Sequence, residues 1–121
     1  MPQNRETGRR GHEAGYRNAD ALGERLNAKR MSMQSNEFDL QGRRVLLKTG
    51  GRGAVASGAT LDRVEAVIYG YQDHERWTAF EIAPEAFRLH GSPSQSKSHQ
   101  GRDFKQLSKT QCKALGRQIL G

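Results

Sequence analysis

Two hydrophobic periods run along the chain, and the change between them divides it. From Gly11 to about Arg30 the apolar positions Ala19, Leu22 and Leu26 recur at helical spacing, with Gly15 completing the stripe. Glu13, Arg17, Asp20 and Glu24 lie on the other face, which predicts an amphipathic helix. Gly23 weakens its propensity slightly, and residues 1–10 read as a flexible polar end. The period then falls to two. Glu37-Phe38-Asp39-Leu40 alternates, Gln41-Gly42 is a turn signal, and Arg43 to Lys48 has an apolar centre, so these segments predict a tight β-hairpin. Thr49 to Ala59 is glycine-rich and reads as a loop. Val64 to Tyr71 is the strongest strand pattern, Gln72 to Arg76 a polar turn, and Trp77 to Ile82 a further strand. Pro84 opens a short helix. Residues 91–103 are polar and predict an exposed loop. The segment 104–121 reads as a basic helix. Ser108 and Gln111 form a capping-box pattern at its start, Leu107 can staple to Cys112, and Cys112, Leu115 and Ile119 give it an apolar face.

That order predicts an α/β (α+β) fold, a small mixed sheet of three to four strands flanked by helices. At 121 residues one domain is expected. The apolar fraction of 34% permits only a modest core. No apolar run approaches the roughly 20 residues of a membrane span, and the first residues lack the apolar stretch of a secretory signal. The single Cys112 excludes an internal disulfide and a cysteine-based zinc site, which favours a reducing, cytoplasmic setting.

Charge adds a direction. The 20 basic and 13 acidic side chains leave +7. The excess is uneven: net +3 over residues 1–30, +2 over 31–60, −3 over 61–90 and +5 over 91–121. A basic surface of this kind favours a polyanionic partner, nucleic acid first, with DNA expected ahead of RNA. Two solvated basic ends would give the same count. Candidate phosphate contacts are Arg43, Arg44 and Arg52, then Lys97, His99 and Arg102 in the polar loop, and Lys109, Lys113 and Arg117 in the last segment. The glycines from Gly50 to Gly53 formally fit a dinucleotide fingerprint, but the following Ser57-Gly58-Ala59-Thr60 is a poor helix start for one. A loop whose amides and Arg52 meet a phosphate backbone suits them better. Tyr69, Tyr71 and Trp77 could stack on bases or pack the sheet.

Asp39 and Lys48, on neighbouring strands with Glu13 on the preceding helix, are the candidate catalytic residues. A carboxylate can hold Mg²⁺ or Mn²⁺ against a phosphate, and a lysine can orient the attacking water. With the helix bearing Glu13, then Glu37-Phe38-Asp39-Leu40 and Arg43-Arg44-Val45-Leu46-Leu47-Lys48-Thr49, the chain resembles the PD-(D/E)xK nuclease superfamily over roughly residues 11–87. The resemblance implies a restriction-endonuclease-like core over 11–90, a divalent metal held by Asp39 and Glu13, and metal-dependent cleavage of nucleic acid by a possible homodimer. It departs at one place: the acid expected two positions before the lysine is Leu46. Glu13, Glu24 or Glu37 would have to compensate, or the fold serves as a non-catalytic nucleic-acid-binding or adaptor protein. A protein-binding regulator with an acidic partner is the third reading.

Overall fold

The computed structural model describes residues 5–32, 35–93 and 103–121, with the side chains of the first helix described from residue 17 onward. Helix α1 spans Arg5–Leu26, starting earlier and ending earlier than the apolar stripe predicts. It stops because Asn27 turns left-handed (φ 58°) while the amide of Ala28 bonds back to the carbonyl of Gly23 at 2.8 Å. Lys29 and Arg30 then form a two-residue strand, β1 (Lys29–Arg30).

The hairpin follows as its alternation predicts, with β2 (Glu37–Leu40) antiparallel to β3 (Arg43–Thr49). Gln41 and Gly42 both take positive φ, the geometry that two-residue hairpins favour. The glycine-rich stretch beyond it is not all loop. It contains β4 (Gly53–Ser57) and α2 (Gly58–Arg63), capped by the Ser57 hydroxyl, which accepts from the Thr60 amide. Then come β5 (Ala66–Asp73), β6 (Arg76–Ile82), α3 (Pro84–His90) and β7 (Ser92–Pro93). The last segment is a second correction. Only Lys109–Leu115 is helical (α4), between β8 (Phe104–Ser108) and β9 (Arg117–Leu120). The capping box of Ser108 and Gln111 is formed, and Gly116 ends the helix, so Ile119 lies on a strand rather than on the helix face.

The fold is mixed α and β, but larger in sheet than the three to four strands expected. One mixed sheet has six strands in the order β1-β2-β3-β5-β6-β9, and a second has three in the order β4-β8-β7. Within the large sheet β3 and β5 run parallel, joined through β4 and α2, and every other pairing is antiparallel. Both faces of that sheet are buried, which explains the continuous apolar centres of β3 and β5. One face packs on α1 through Leu22, Phe38, Val45, Leu47 and Ile68. The other packs on the small sheet and the shorter helices through Leu46, Tyr69, Phe87, Leu107 and Cys112. Gly23 lets α1 lie down on the first face, since a Cβ there would stand 2.7 Å from the Phe38 ring. Cys112 is fully buried, and burial pushes its thiol up to about 11, so it acts as a packing residue.

Candidate functional site

The hairpin register decides which predicted residues meet. Asp39 stands opposite Arg44, and Glu37 stands opposite Leu46. Lys48 lies four residues beyond Arg44 on β3, about 13 Å further along the strand. The hairpin therefore does not bring Asp39 and Lys48 together. Asp39 is exposed, and its carboxylate accepts from the Gly42 amide at 2.9 Å, which commits it to the turn. Glu13 lies on α1, but its side chain falls outside the described residues, as do Lys97, His99 and Arg102. Glu24 is exposed on α1.

The carboxylate that faces Leu46 is Glu37, the one buried charged residue of the described core. Its oxygens accept from Arg44 Nε at 2.7 Å and Arg63 Nη2 at 3.0 Å, and from the Ser35 hydroxyl. These donors outweigh desolvation and hold the Glu37 carboxyl down at about 2, with the Arg63 bond the largest cause. A divalent cation does not fit this cluster. Two guanidiniums already supply positive charge around one carboxylate, and the neighbouring position is an apolar leucine. Among the described residues no three His, Cys, Asp or Glu side chains are grouped to hold a metal ion.

Other predicted phosphate contacts are also spent in ion pairs. Arg43 bonds Glu81 at 2.8 Å, and Arg117 approaches the same carboxylate at 3.6 Å. Arg52, Lys109 and Lys113 have no such partner among the described residues. Arg52 and Lys109 meet where β3 ends. There Thr49, Gly50, Gly51, Arg52 and Gly53 form a turn in which Gly50 and Gly53 take φ of 136° and 128°, values open mainly to glycine. The Tyr69 hydroxyl donates to the Gly50 carbonyl, and the amide of Lys109 donates to the Arg52 carbonyl at 3.1 Å. Burial keeps the Tyr69 hydroxyl protonated by raising it to about 12. The Lys109 ammonium sits 3.9 Å above the ring of Tyr71. Lys113 is one helical turn on and shares that side of α4.

Lys48 stands two residues before the first of these glycines. It is half-buried and has no ion-pair partner among the described residues, and burial pushes its ammonium down from the ordinary lysine value. Beside the turn lies a cavity of about 160 Å³ at the carboxyl ends of the parallel strands β3 and β5, lined by Thr49, Gly50, Gly51, Tyr71, Gln72, Trp77, Lys109 and Asn18 from α1. Carboxyl ends of parallel strands are the usual ligand edge of α/β sheets. A larger cleft of about 450 Å³ lies between α1, the β5–β6 turn and β9, and mixes Arg25 and Arg76 with Asp73 and Glu75.

Arg63, Asn18 and Gln72 escaped the sequence reading. Arg63 is 26 residues from Glu37, and no local pattern marks that pairing. Asn18 reaches the cavity from α1, and Gln72 from β5 through its parallel pairing with β3, which no local pattern marks. Comparison of the chain with protein-family models, curated proteins and solved structures returns no match. Among the described residues no helix is long and apolar enough to cross a membrane.

Proposed function

We propose that this chain binds nucleic acid through its phosphate backbone, using the cations around the glycine turn. One observation carries the reading: Arg52 and Lys109 stand beside a glycine turn, with Lys113 one helical turn on, and none has a carboxylate partner among the described residues, while Arg43, Arg44 and Arg117 are neutralised by Glu81 and Glu37. Cations with no internal partner are free to replace the counterions of a polyanion. Glycine amides allow a phosphate to approach the main chain. Tyr71 adds a ring whose cation contact is already formed.

The test is a binding titration with duplex DNA, single-stranded DNA and RNA over a range of salt. Three phosphate contacts give a slope of log affinity against log salt of about −2 to −3. No binding at moderate salt would overturn the reading. The same samples with Mg²⁺, Mn²⁺ or a chelator decide between binding and cleavage. Metal-dependent cleavage abolished by Asp39→Ala and by Lys48→Ala would favour the endonuclease instead. Lys48 is the residue on that side, since it stands where the resemblance places the water-orienting lysine.

A further inference from the structure

We infer that the small cavity at the carboxyl ends of β3 and β5 takes a terminal phosphate group, so that the protein grips a nucleic-acid strand by its end. This rests on the proposed nucleic-acid binding and adds what part of the strand is recognised. Size is the first reason. Pockets for drug-sized ligands measure roughly 300 to 1,000 Å³, and this one has about 160 Å³. A site of that size suits one phosphate group, with the remainder of a ligand lying outside it.

Chemistry is the second reason. No carboxylate lines the cavity. The lining offers donors from five separate elements: the Lys109 ammonium, the side-chain amides of Asn18 and Gln72, the hydroxyls of Thr49 and Tyr71, and the main chain at Gly51. The Gly51 amide has no acceptor among the described residues, and a Cβ at that position would meet nothing within 4 Å, so the main chain there is open to a ligand. A phosphomonoester at neutral pH presents three terminal oxygens and about −1.5 to −2 charge. A phosphodiester within a strand presents two such oxygens and a single charge. Several convergent donors with an ammonium match the monoester better. The larger cleft, with Asp73 and Glu75 in its lining, lacks this preference for anions.

Trp77 is the single tryptophan of the chain and lines both this cavity and the larger cleft, so its emission follows binding at either without a label, and substitutions at Asn18 and Gln72, which line only the small cavity, tell the two apart. The experiment compares oligonucleotides of one sequence carrying a 5′-phosphate, a 3′-phosphate or neither. Alongside, inorganic phosphate is titrated at constant ionic strength while Trp77 emission is followed. A phosphorylated end should bind about five- to tenfold tighter than the unphosphorylated strand, and phosphate should change the emission saturably. Asn18→Asp and Gln72→Glu place a carboxylate in the lining from two different elements. Both should bring the phosphorylated strand down to the affinity of the unphosphorylated one and flatten the phosphate titration. Equal affinity for all three strands with flat emission would overturn the inference and leave nucleic-acid binding standing. Saturable emission without any strand preference would overturn recognition of a strand end. If no strand binds, the proposed function fails together with strand-end recognition, and the phosphate titration still decides whether the cavity holds an anion.

Discussion

The cluster around Glu37 and the turn around Gly50 are both rich in cations, yet they differ in what those cations can do. At Glu37 two guanidiniums are held by one buried carboxylate, which also accepts from the Ser35 hydroxyl, so their charge is spent inside the fold. At the glycine turn Arg52 and Lys109, with Lys113 one helical turn on, have no acid among the described residues to neutralise them. Net charge summed over a sequence treats the two alike. A polyanion would not, because a paired guanidinium must give up its partner or share it.

Breaking the Glu37 cluster is expected to produce the largest effect, and on stability. Glu37→Ala strips Arg44 and Arg63 of their shared carboxylate; both guanidiniums are partly exposed, so water offsets part of the penalty of a fully buried pair and the cost is about 2 to 3 kcal/mol. Denaturant unfolding measures it. Acid sharpens the same point. Glu37 titrates near 2 in the fold and at 4.5 when free, so its stabilisation is complete above about pH 4.5 and drains away as pH falls toward 2. The loss is on the order of 3 kcal/mol, read as the pH dependence of the unfolding free energy. Glu37→Gln should remove that slope. An unchanged slope would mean that the carboxylate is not held down by its arginines.

At Lys48 the sign should reverse. Its ammonium is desolvated without a partner among the described residues, so Lys48→Met should leave stability unchanged or raise it by about 1 kcal/mol. Thermal melts of the variant check this, and a clear loss of stability would show that the ammonium has found a partner.

The sequence made the hairpin from Glu37 to Thr49 legible because a period of two and a Gln41-Gly42 turn are local signals. The capping box at Ser108 was equally local. The missed strands had no such mark. In β4 the buried residues are the small Ala54 and Ala56, among glycines that read as loop. In β9, Ile119 continues the spacing of Cys112 and Leu115, so the helical pattern ran through the stop at Gly116. The candidate site was half legible. The glycines with Arg52 stood out after a strand, and Lys109 stood out as part of a basic segment. What divides free cations from spent ones is contact between distant residues: Arg43 meets Glu81 across 38 positions and Arg63 meets Glu37 across 26. Asp39 drew attention as an acid beside a lysine strand, although its carboxylate serves the turn.

Smaller in energy, but closest to function, is the contrast between two sets of neutralised charges. Arg43→Gln with Arg117→Gln removes paired cations at Glu81. It should cost about 1 kcal/mol of stability and change nucleic-acid affinity by less than about twofold. Arg52→Gln with Lys109→Gln removes the same formal charge from the glycine turn. Stability should fall by no more than about 1 kcal/mol, from the lost Lys109–Tyr71 contact, while affinity falls about tenfold or more.

The most direct measurement is the salt dependence of nucleic-acid binding for these two double variants beside the unaltered protein. Arg52→Gln with Lys109→Gln should flatten the slope of log affinity against log salt by about 1.5 to 2, and Arg43→Gln with Arg117→Gln should leave it in place. Equal flattening in both would contradict this, because binding would then follow total charge rather than the cations left free around the glycine turn.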